Sequence, residues 1–155
     1  MVRVMATGVF DILHLGHIRY LEEAKSFGDE LIVVVAHDET VKKRKHNPIM
    51  PQEMRRKIVE SLKCVDKAVN GRESNMLEIV REIKPDIIAL GYDQRFDEKK
   101  LEEQLKKEGL DVKVVRCSHY TKDDLNGTRR IIRKIADRIA SNELYAGEEK
   151  LRGLA

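Results

Sequence analysis

The stretch V-R-V-M-A-T-G-V-F-D-I-L-H-L-G-H, residues 2–17, joins a short apolar run to the start of a helix. Residues 2–6 form a short, largely apolar run, which is typical of a buried strand. A turn follows, and residues 18–27 then place apolar side chains at helical spacing until Gly28 ends the pattern. A strand, a turn and a helix in this order predict the first unit of an α/β fold.

The same alternation continues along the chain. The run L-I-V-V-V-A at residues 31–36 is apolar throughout, as in a parallel strand that is covered on both faces. Pro51 suits the first turn of a helix, and Pro85 ends another. Strands are predicted at 2–6, 31–36, 65–69, 86–90 and 112–115, and helices at 18–27, 38–45, 51–62, 75–84, 97–107 and from 126 to beyond 140.

This order predicts an α/β fold with a Rossmann-like, doubly wound parallel sheet of about five strands. Ligands of such sheets bind beyond the carboxyl ends of the strands, at the switch point. The segments 7–17, 36–45 and 91–95 each follow a predicted strand end. We therefore expect these three segments to meet at one edge of the sheet.

The 155 residues suit one domain, which we place at residues 1–140, with a polar, partly disordered tail at 141–155. The first residues are too few for the apolar region of a signal peptide, and no run of about 18 apolar residues occurs. We expect a cytoplasmic protein without a membrane partner. Cys64 and Cys117 lack CxxC spacing, so we expect buried thiols rather than a zinc or redox site.

Charge is nearly balanced, with 30 basic and 27 acidic residues and a net charge of +3. This balance does not predict nucleic-acid binding. The local cluster Lys42-Lys43-Arg44-Lys45 suits either contact with phosphates or a solvated loop.

His14 and His17 stand three residues apart where the first helix is expected to open, so both rings can face one site. A helix N-terminus offers backbone N–H groups to phosphate, and Gly16 lets a ligand approach the backbone. No carboxylate or cysteine at suitable spacing completes a metal site. Hydrogen bonding to phosphoryl oxygens and a structural role both remain open on these grounds.

The pattern Gly8-x-Phe10-Asp11-x-x-His14-x-Gly16-His17 resembles the signature of the HxGH, cytidylyltransferase-like nucleotidyltransferases. That superfamily includes glycerol-3-phosphate cytidylyltransferases, pantetheine-phosphate adenylyltransferases and archaeal-type FAD synthases. Further similarity is found at residues 28–39, 55–66 and 89–93, so the resemblance covers roughly residues 2–135.

One segment departs from this pattern. Where the cytidylyltransferases usually carry an Ile-Ser-Thr-Thr-like motif, this chain has L-N-G-T-R-R-I at residues 125–131, and only Thr128 is similar. Residues 29–43, 48–56 and 84–94 are more similar to the archaeal FAD synthases. The resemblance therefore favours transfer of AMP from ATP to FMN over transfer of CMP from CTP to glycerol 3-phosphate or a similar acceptor.

The resemblance implies a role for each residue of the first loop. His14 and His17 would stabilise charge on the triphosphate, with Mg²⁺ or a similar divalent ion accompanying it. Val9 and Phe10 would hold the nucleotide partly through backbone N–H groups, although Phe10 also suits the core. Leu15 and Gly16 would complete this nucleotide-binding loop. We expect Asp11 to brace the loop.

The remaining predicted contacts come from later segments. Lys42 or Lys45, and Arg55, would contact phosphate. Gly91 and Asp93 would approach the nucleoside, whereas Tyr120 would either contact the base or pack in its loop. The predicted triphosphate contacts at the start of the last helix are Thr128 and Arg129.

Two alternatives belong to other functional classes. A non-catalytic nucleotide-binding protein would keep the glycines and lose a histidine, and both histidines are present. A flavin-binding electron carrier would not need the paired histidines. The resemblance also implies a homodimer, ATP or CTP as donor, FMN or another phosphorylated small molecule as acceptor, and no nucleic-acid partner.

Overall fold

The computed structural model describes residues 1–44, 46–73 and 75–143. Each predicted strand and helix is present, with ends that differ by a few residues. The elements are β1 (Arg3–Gly8), α1 (Leu15–Ser26), β2 (Glu30–Val35), α2 (Asp38–Arg44), α3 (Gln52–Glu60), β3 (Lys67–Asn70), α4 (Met76–Ile83), β4 (Ile87–Leu90), α5 (Glu98–Lys107), β5 (Lys113–Arg116) and α6 (Thr128–Ala140).

Most helix starts differ from the prediction by one to three residues, and the starts of α3 and α6 show the local reasons. Pro51 is the N-cap of α3 rather than part of its first turn, since its ψ of 155° is extended. Gly127 is likewise the N-cap of α6, so this helix begins at Thr128 instead of Asn126. Of the predicted tail, residues 144–155 lie outside the described residues, and the domain boundary at 140 stays a prediction.

The sheet has five strands in the order β3-β2-β1-β4-β5, and all pairs are parallel. From β1 the chain moves outward to β2 and β3, and it then returns to the other side of β1 to form β4 and β5. The switch point predicted from the sequence therefore lies between β1 and β4. The doubly wound α/β prediction is confirmed.

Apolar side chains fill the space on both faces of the sheet. Helices α1 and α3 cover one face, where Leu21 and Val59 are fully buried. On the other face, Val80 of α4 and Leu105 of α5 are fully buried. Burial on both faces explains why residues 31–35 of β2 are all apolar instead of alternating with polar residues.

Among the described helices, none has the length and apolar character needed to cross a membrane. Both cysteines are free thiols. Cys117 is buried as expected, and this burial raises the pKa of its thiol to about 12, whereas Cys64 is only half-buried. Burial makes the Cys117 thiol a poor nucleophile.

Candidate active site

The loop between β1 and α1 is held in a demanding backbone conformation. Phe10 and Ile12 adopt positive φ angles of 55° and 53°, which non-glycine residues rarely do. The Phe10 ring is buried beside Gly8, where an added Cβ would lie 2.7 Å from the ring. Glycine at position 8 therefore gives the Phe10 ring its space, and Phe10 belongs to the core as the sequence allowed.

Asp11 braces this loop, as expected. Its buried carboxylate accepts hydrogen bonds from the backbone N–H groups of Ile49 at 2.7 Å and Met50 at 3.0 Å. The interaction ties the loop after β1 to the segment before α3. Both carboxylate oxygens are thereby used within the protein.

His14 and His17 cap the start of α1 reciprocally. The Gly16 N–H donates to Nδ1 of His14 at 3.0 Å, and the His14 N–H donates to Nδ1 of His17 at 3.3 Å. The two rings stack with centroids 3.8 Å apart. The structure thus brings together the two residues whose spacing suggested one site.

These bonds determine which ring nitrogens carry hydrogen. Because each Nδ1 accepts a backbone N–H, the neutral tautomer of His14 and of His17 carries its hydrogen on Nε2. Burial lowers the pKa of His14, so its neutral form predominates at neutral pH. His14 can therefore offer its Nε2–H to an anion without a charged imidazolium ring.

Gly16 is required by this packing. A Cβ at this position would lie 2.8 Å from the His14 ring and 3.0 Å from the carbonyl oxygen of Asn126. Glycine therefore lets α1 begin directly against the loop that precedes α6.

The start of α6 is docked on the same loop. The Thr128 hydroxyl donates to the carbonyl of Asp11 at 2.7 Å, and α6 lacks a side-chain cap at Gly127. Two helix N-termini, with their partial positive charge, therefore meet beside the histidine pair. Arg129 lies exposed in the first turn of α6. Its predicted phosphate contact stays a prediction, as does that of Thr128.

Arg55 does not lie where the sequence suggested. The predicted contact with phosphate is wrong, because the side chain is fully buried and its donors are used inside the protein. Its guanidinium pairs with Asp38 at 2.5 Å. It also donates to the carbonyl oxygens of Val9 at 2.7 Å, Ala36 at 3.1 Å and Met50 at 2.9 Å.

This arrangement gives Arg55 a positioning role. The three carbonyls belong to the segments that follow β1 and β2 and to the segment before α3, so one side chain holds three chain segments together. Burial acts to raise the pKa of the Asp38 carboxyl, but its hydrogen bond with Arg55 and further interactions lower it overall.

Lys42 is exposed near the end of α2 and forms an ion pair with Glu39 at 3.0 Å. An exposed pair of this kind is weak, so the ammonium group can exchange this partner for a phosphate. The alternative, Lys45, lies outside the described residues. Phosphate contact by Lys42 stays a prediction.

The end of β4 is tied to the end of β1 by side chains that the sequence did not single out. Gln94 donates from Nε2 to the carbonyl of Thr7 at 2.8 Å, and the Gly91 N–H donates to its Oε1 at 3.1 Å. Tyr20 donates its hydroxyl to the carbonyl of Ala89 at 2.7 Å. These bonds fix the two strand ends that border the switch point.

The predicted nucleoside contacts lie around this strand end. Asp93 is exposed, and an added Cβ on Gly91 would meet nothing closer than 3.6 Å. Tyr120 is half-buried, and its carbonyl accepts a hydrogen bond from the Asn126 side chain at 2.6 Å. The positions of these residues do not show whether they contact a nucleotide. The nucleotide contacts of Gly91, Asp93 and Tyr120 therefore stay predictions.

A stacked pair of rings was missed by sequence reasoning. Tyr92 and His119 lie with ring centroids 3.8 Å apart at an interplanar angle of 17°. They follow the neighbouring strands β4 and β5. Their spacing along the chain gives no periodic signal, and only the pairing of the two strands brings them together.

Within the described residues, no group of three or more His, Cys, Asp or Glu side chains is arranged to hold a metal ion. The site instead presents histidine N–H donors, helix N-termini and nearby basic side chains. Such a set suits the negative charge of a polyphosphate.

Comparison with known proteins agrees with this chemistry. The family profile described as Cytidylyltransferase-like matches residues 5–144. The FAD synthase of Aciduliprofundum boonei is 60% identical over 146 residues, which cover 94% of this chain and 97% of the relative. The FAD synthase of Archaeoglobus profundus is 54% identical over 152 residues, which cover 98% and 97% of the two chains.

Solved structures share the fold. A crystal structure described as the lipopolysaccharide core biosynthesis protein of Thermoplasma volcanium has 55% identity and a TM-score of 0.77, covering 78% of this chain and 99% of that one. Pantoate-beta-alanine ligase from Francisella tularensis has 17% identity and a TM-score of 0.53, covering 90% and 70%. The second similarity concerns the fold alone.

Proposed function

This chain belongs to the cytidylyltransferase-like family, and from that premise we propose that it transfers AMP from ATP to FMN, giving FAD and pyrophosphate. The resemblance inferred from the HxGH segment is confirmed at the level of the family. The names of the two FAD synthases support ATP as donor and FMN as acceptor, since both relatives align over nearly their whole length.

The observation that carries the mechanism is the reciprocal capping of His14 and His17. It presents imidazole N–H donors at the carboxyl end of β1, next to the starts of α1 and α6. In the reaction, a phosphate oxygen of FMN attacks the α-phosphorus of ATP. The bond from the α-phosphorus to the oxygen bridging to the β-phosphorus breaks, and pyrophosphate leaves with that bond's electron pair.

The protein's contribution to this step is positioning and charge stabilisation, because no protein nucleophile is needed. The Nε2–H groups of His14 and His17 donate to the phosphoryl oxygens as charge develops on them. The N-terminus of α6, with Thr128 and Arg129, faces the same charge. Lys42 neutralises phosphate after release from Glu39.

We assign the divalent ion to the substrate rather than to the protein. Mg²⁺ bound to a nucleotide takes most of its ligands from phosphate oxygens and water. Asp11, the carboxylate of the histidine loop, already accepts two backbone N–H groups. Mg²⁺ or a similar ion would arrive with the triphosphate and would supply charge neutralisation for the leaving pyrophosphate.

The test is a matrix of donors and acceptors with the purified protein. ATP and CTP are each incubated with Mg²⁺ and with either FMN or glycerol 3-phosphate, and pyrophosphate release is measured alongside chromatography of the product. We expect FAD in the mixture of ATP and FMN and no nucleotide transfer in the other three mixtures. Formation of CDP-glycerol with FMN left unchanged would replace the proposal by cytidylyl transfer, and the absence of pyrophosphate in every mixture would favour a non-catalytic nucleotide-binding protein.

A further inference from the structure

An exposed aromatic surface lies beside the proposed triphosphate site. Tyr92 directly follows Gly91 at the end of β4, and its ring is stacked on His119 from the segment after β5. Tyr92 is 48% exposed. Aromatic residues make up only 5% of the chain, so an exposed pair of stacked rings is a distinctive feature of its surface. A ring pair that served only the core would bury both rings, whereas this pair leaves much of a tyrosine open to solvent.

The segment that carries His119 is bonded to the segment before α6, because the carbonyl of the adjacent Tyr120 accepts a hydrogen bond from the Asn126 side chain at 2.6 Å. Burial and Asp93 raise the pKa of Tyr92 while Arg130 lowers it, so both side chains are within electrostatic reach of the phenol. Arg130 stands two residues after Thr128, whose hydroxyl binds the carbonyl of Asp11 in the histidine loop. The start of α6 therefore lies against both the histidine loop and the segment that carries His119.

A nucleoside triphosphate matches this arrangement in its chemistry. Its phosphates suit the histidine pair and the start of α6, and its base lies at the other end of the molecule. The exposed Asp93 carboxylate beside Tyr92 can accept hydrogen bonds from ribose hydroxyls or from an amino group on the base. An aromatic face can stack on any base, and a purine covers more of it than a pyrimidine does.

We propose that the stacked Tyr92–His119 pair is the platform that binds the base of the donor nucleotide and favours a purine over a pyrimidine. This inference rests on the proposed function for the identity of the donor. It names two residues that determine specificity, neither of which is part of the histidine loop.

The experiment measures binding of the two substrates separately. Affinity for a non-reactive ATP analogue with a methylene group between the α- and β-phosphates is measured by calorimetry, and affinity for FMN by flavin fluorescence. The variants are Tyr92→Leu, which removes the ring, and Tyr92→Phe, which keeps it. Phe96→Leu is the matched control, because Phe96 is another exposed aromatic residue of the segment between β4 and α5.

We expect Tyr92→Leu to weaken binding of the ATP analogue about tenfold, within the roughly 5- to 150-fold range for loss of one stacked base, and to leave FMN binding unchanged. Tyr92→Phe should restore most of the affinity, and Phe96→Leu should leave it unchanged. In Tyr92→Leu, the ratio of the affinity for the ATP analogue to the affinity for the matching CTP analogue should decrease.

Two results would overturn the inference. Weakened FMN binding with intact nucleotide binding would assign the platform to the acceptor, and unchanged binding of both ligands would make the pair structural. If Tyr92→Leu fails to fold, the unaltered protein is used to test whether adenine stacks on Tyr92. The measurement is of NOEs between the adenine protons of the analogue and the Tyr92 ring, and their absence counts against the platform. Nucleotide binding is measured without FMN, so failure to form FAD would reject the proposed function without rejecting the platform.

Discussion

His14 and His17 hold each other at the start of α1: the backbone N–H of His14 donates to Nδ1 of His17, and the two rings stack 3.8 Å apart. Because Nδ1 of His14 also accepts the N–H of Gly16, the orientation and tautomer of both rings are set by the backbone. A site built in this way needs no rearrangement of its donors as charge develops on a phosphoryl group.

Removal of either ring should slow the chemical step. For His14→Ala and His17→Ala we expect kcat to fall about a hundredfold to a thousandfold, as for loss of one donor that stabilises a developing charge. Pyrophosphate release at saturating substrates measures the effect, and the exposed His46 supplies the control variant His46→Ala. Retention of full turnover by both His14→Ala and His17→Ala would contradict a catalytic role for the pair.

Stability should depend on the protonation of His14. Burial lowers the pKa of His14 from its ordinary value of 6.5, so the unfolded chain binds this proton at a higher pH than the folded protein does. The free energy of unfolding should therefore fall as the pH drops below about 6.5. Protonation of Nδ1 also removes the acceptor for the Gly16 N–H.

The comparison uses His14→Asn, since asparagine is a good N-cap that does not titrate. Urea unfolding of the unaltered protein and of His14→Asn between about pH 7 and pH 5.5 gives the difference in the pH dependence of their free energies of unfolding. Carboxylates paired with arginine, such as Glu53, lose their contribution only at lower pH because their pKa is lowered. Parallel pH profiles for the two proteins would show that His14 does not cause this dependence.

Gly16→Ala should damage both stability and activity. The added Cβ would lie 2.8 Å from the His14 ring and 3.0 Å from the backbone oxygen of Asn126, so the ring or the start of α6 must move. We expect a loss of about 1–3 kcal/mol in the free energy of unfolding, as for overpacking elsewhere, together with a fall in kcat. Gly91→Ala is the control for stability, because its Cβ would meet only ordinary contacts at 3.6 Å. Equal stability of these two variants would contradict the packing described for α1.

Arg55→Lys should act through structure rather than through a lost phosphate contact. A lysine cannot supply the forked donors that reach Asp38 and three carbonyls, so we expect a loss of about 2–4 kcal/mol in the free energy of unfolding. The neighbouring Arg56→Lys is the matched control and should have a much smaller effect, since Arg56 pairs with the exposed Glu53. If Arg55→Lys instead kept its stability and raised only the KM for ATP, Arg55 would contact phosphate after all.

Arg55 also shows where sequence reasoning reaches its limit. The strands, the helices and the histidine loop could be predicted because apolar periodicity and local spacing encode them. An arginine on a polar helix looks like a surface charge until the fold surrounds it with the carbonyls of other segments. The Tyr92–His119 stack and the bond from Thr128 to Asp11 were hidden for the same reason, since each joins residues that only the sheet topology brings together.

The reaction proposed for this chain transfers the α-phosphoryl group of ATP, as AMP, to FMN. The most direct measurement follows ATP labelled at the α-phosphorus, with FMN and Mg²⁺, and separates FAD from pyrophosphate by chromatography. We predict label in FAD, none in pyrophosphate, and one pyrophosphate released for each FAD formed. If a folded protein that binds both substrates forms no labelled FAD, the chain does not catalyse this transfer.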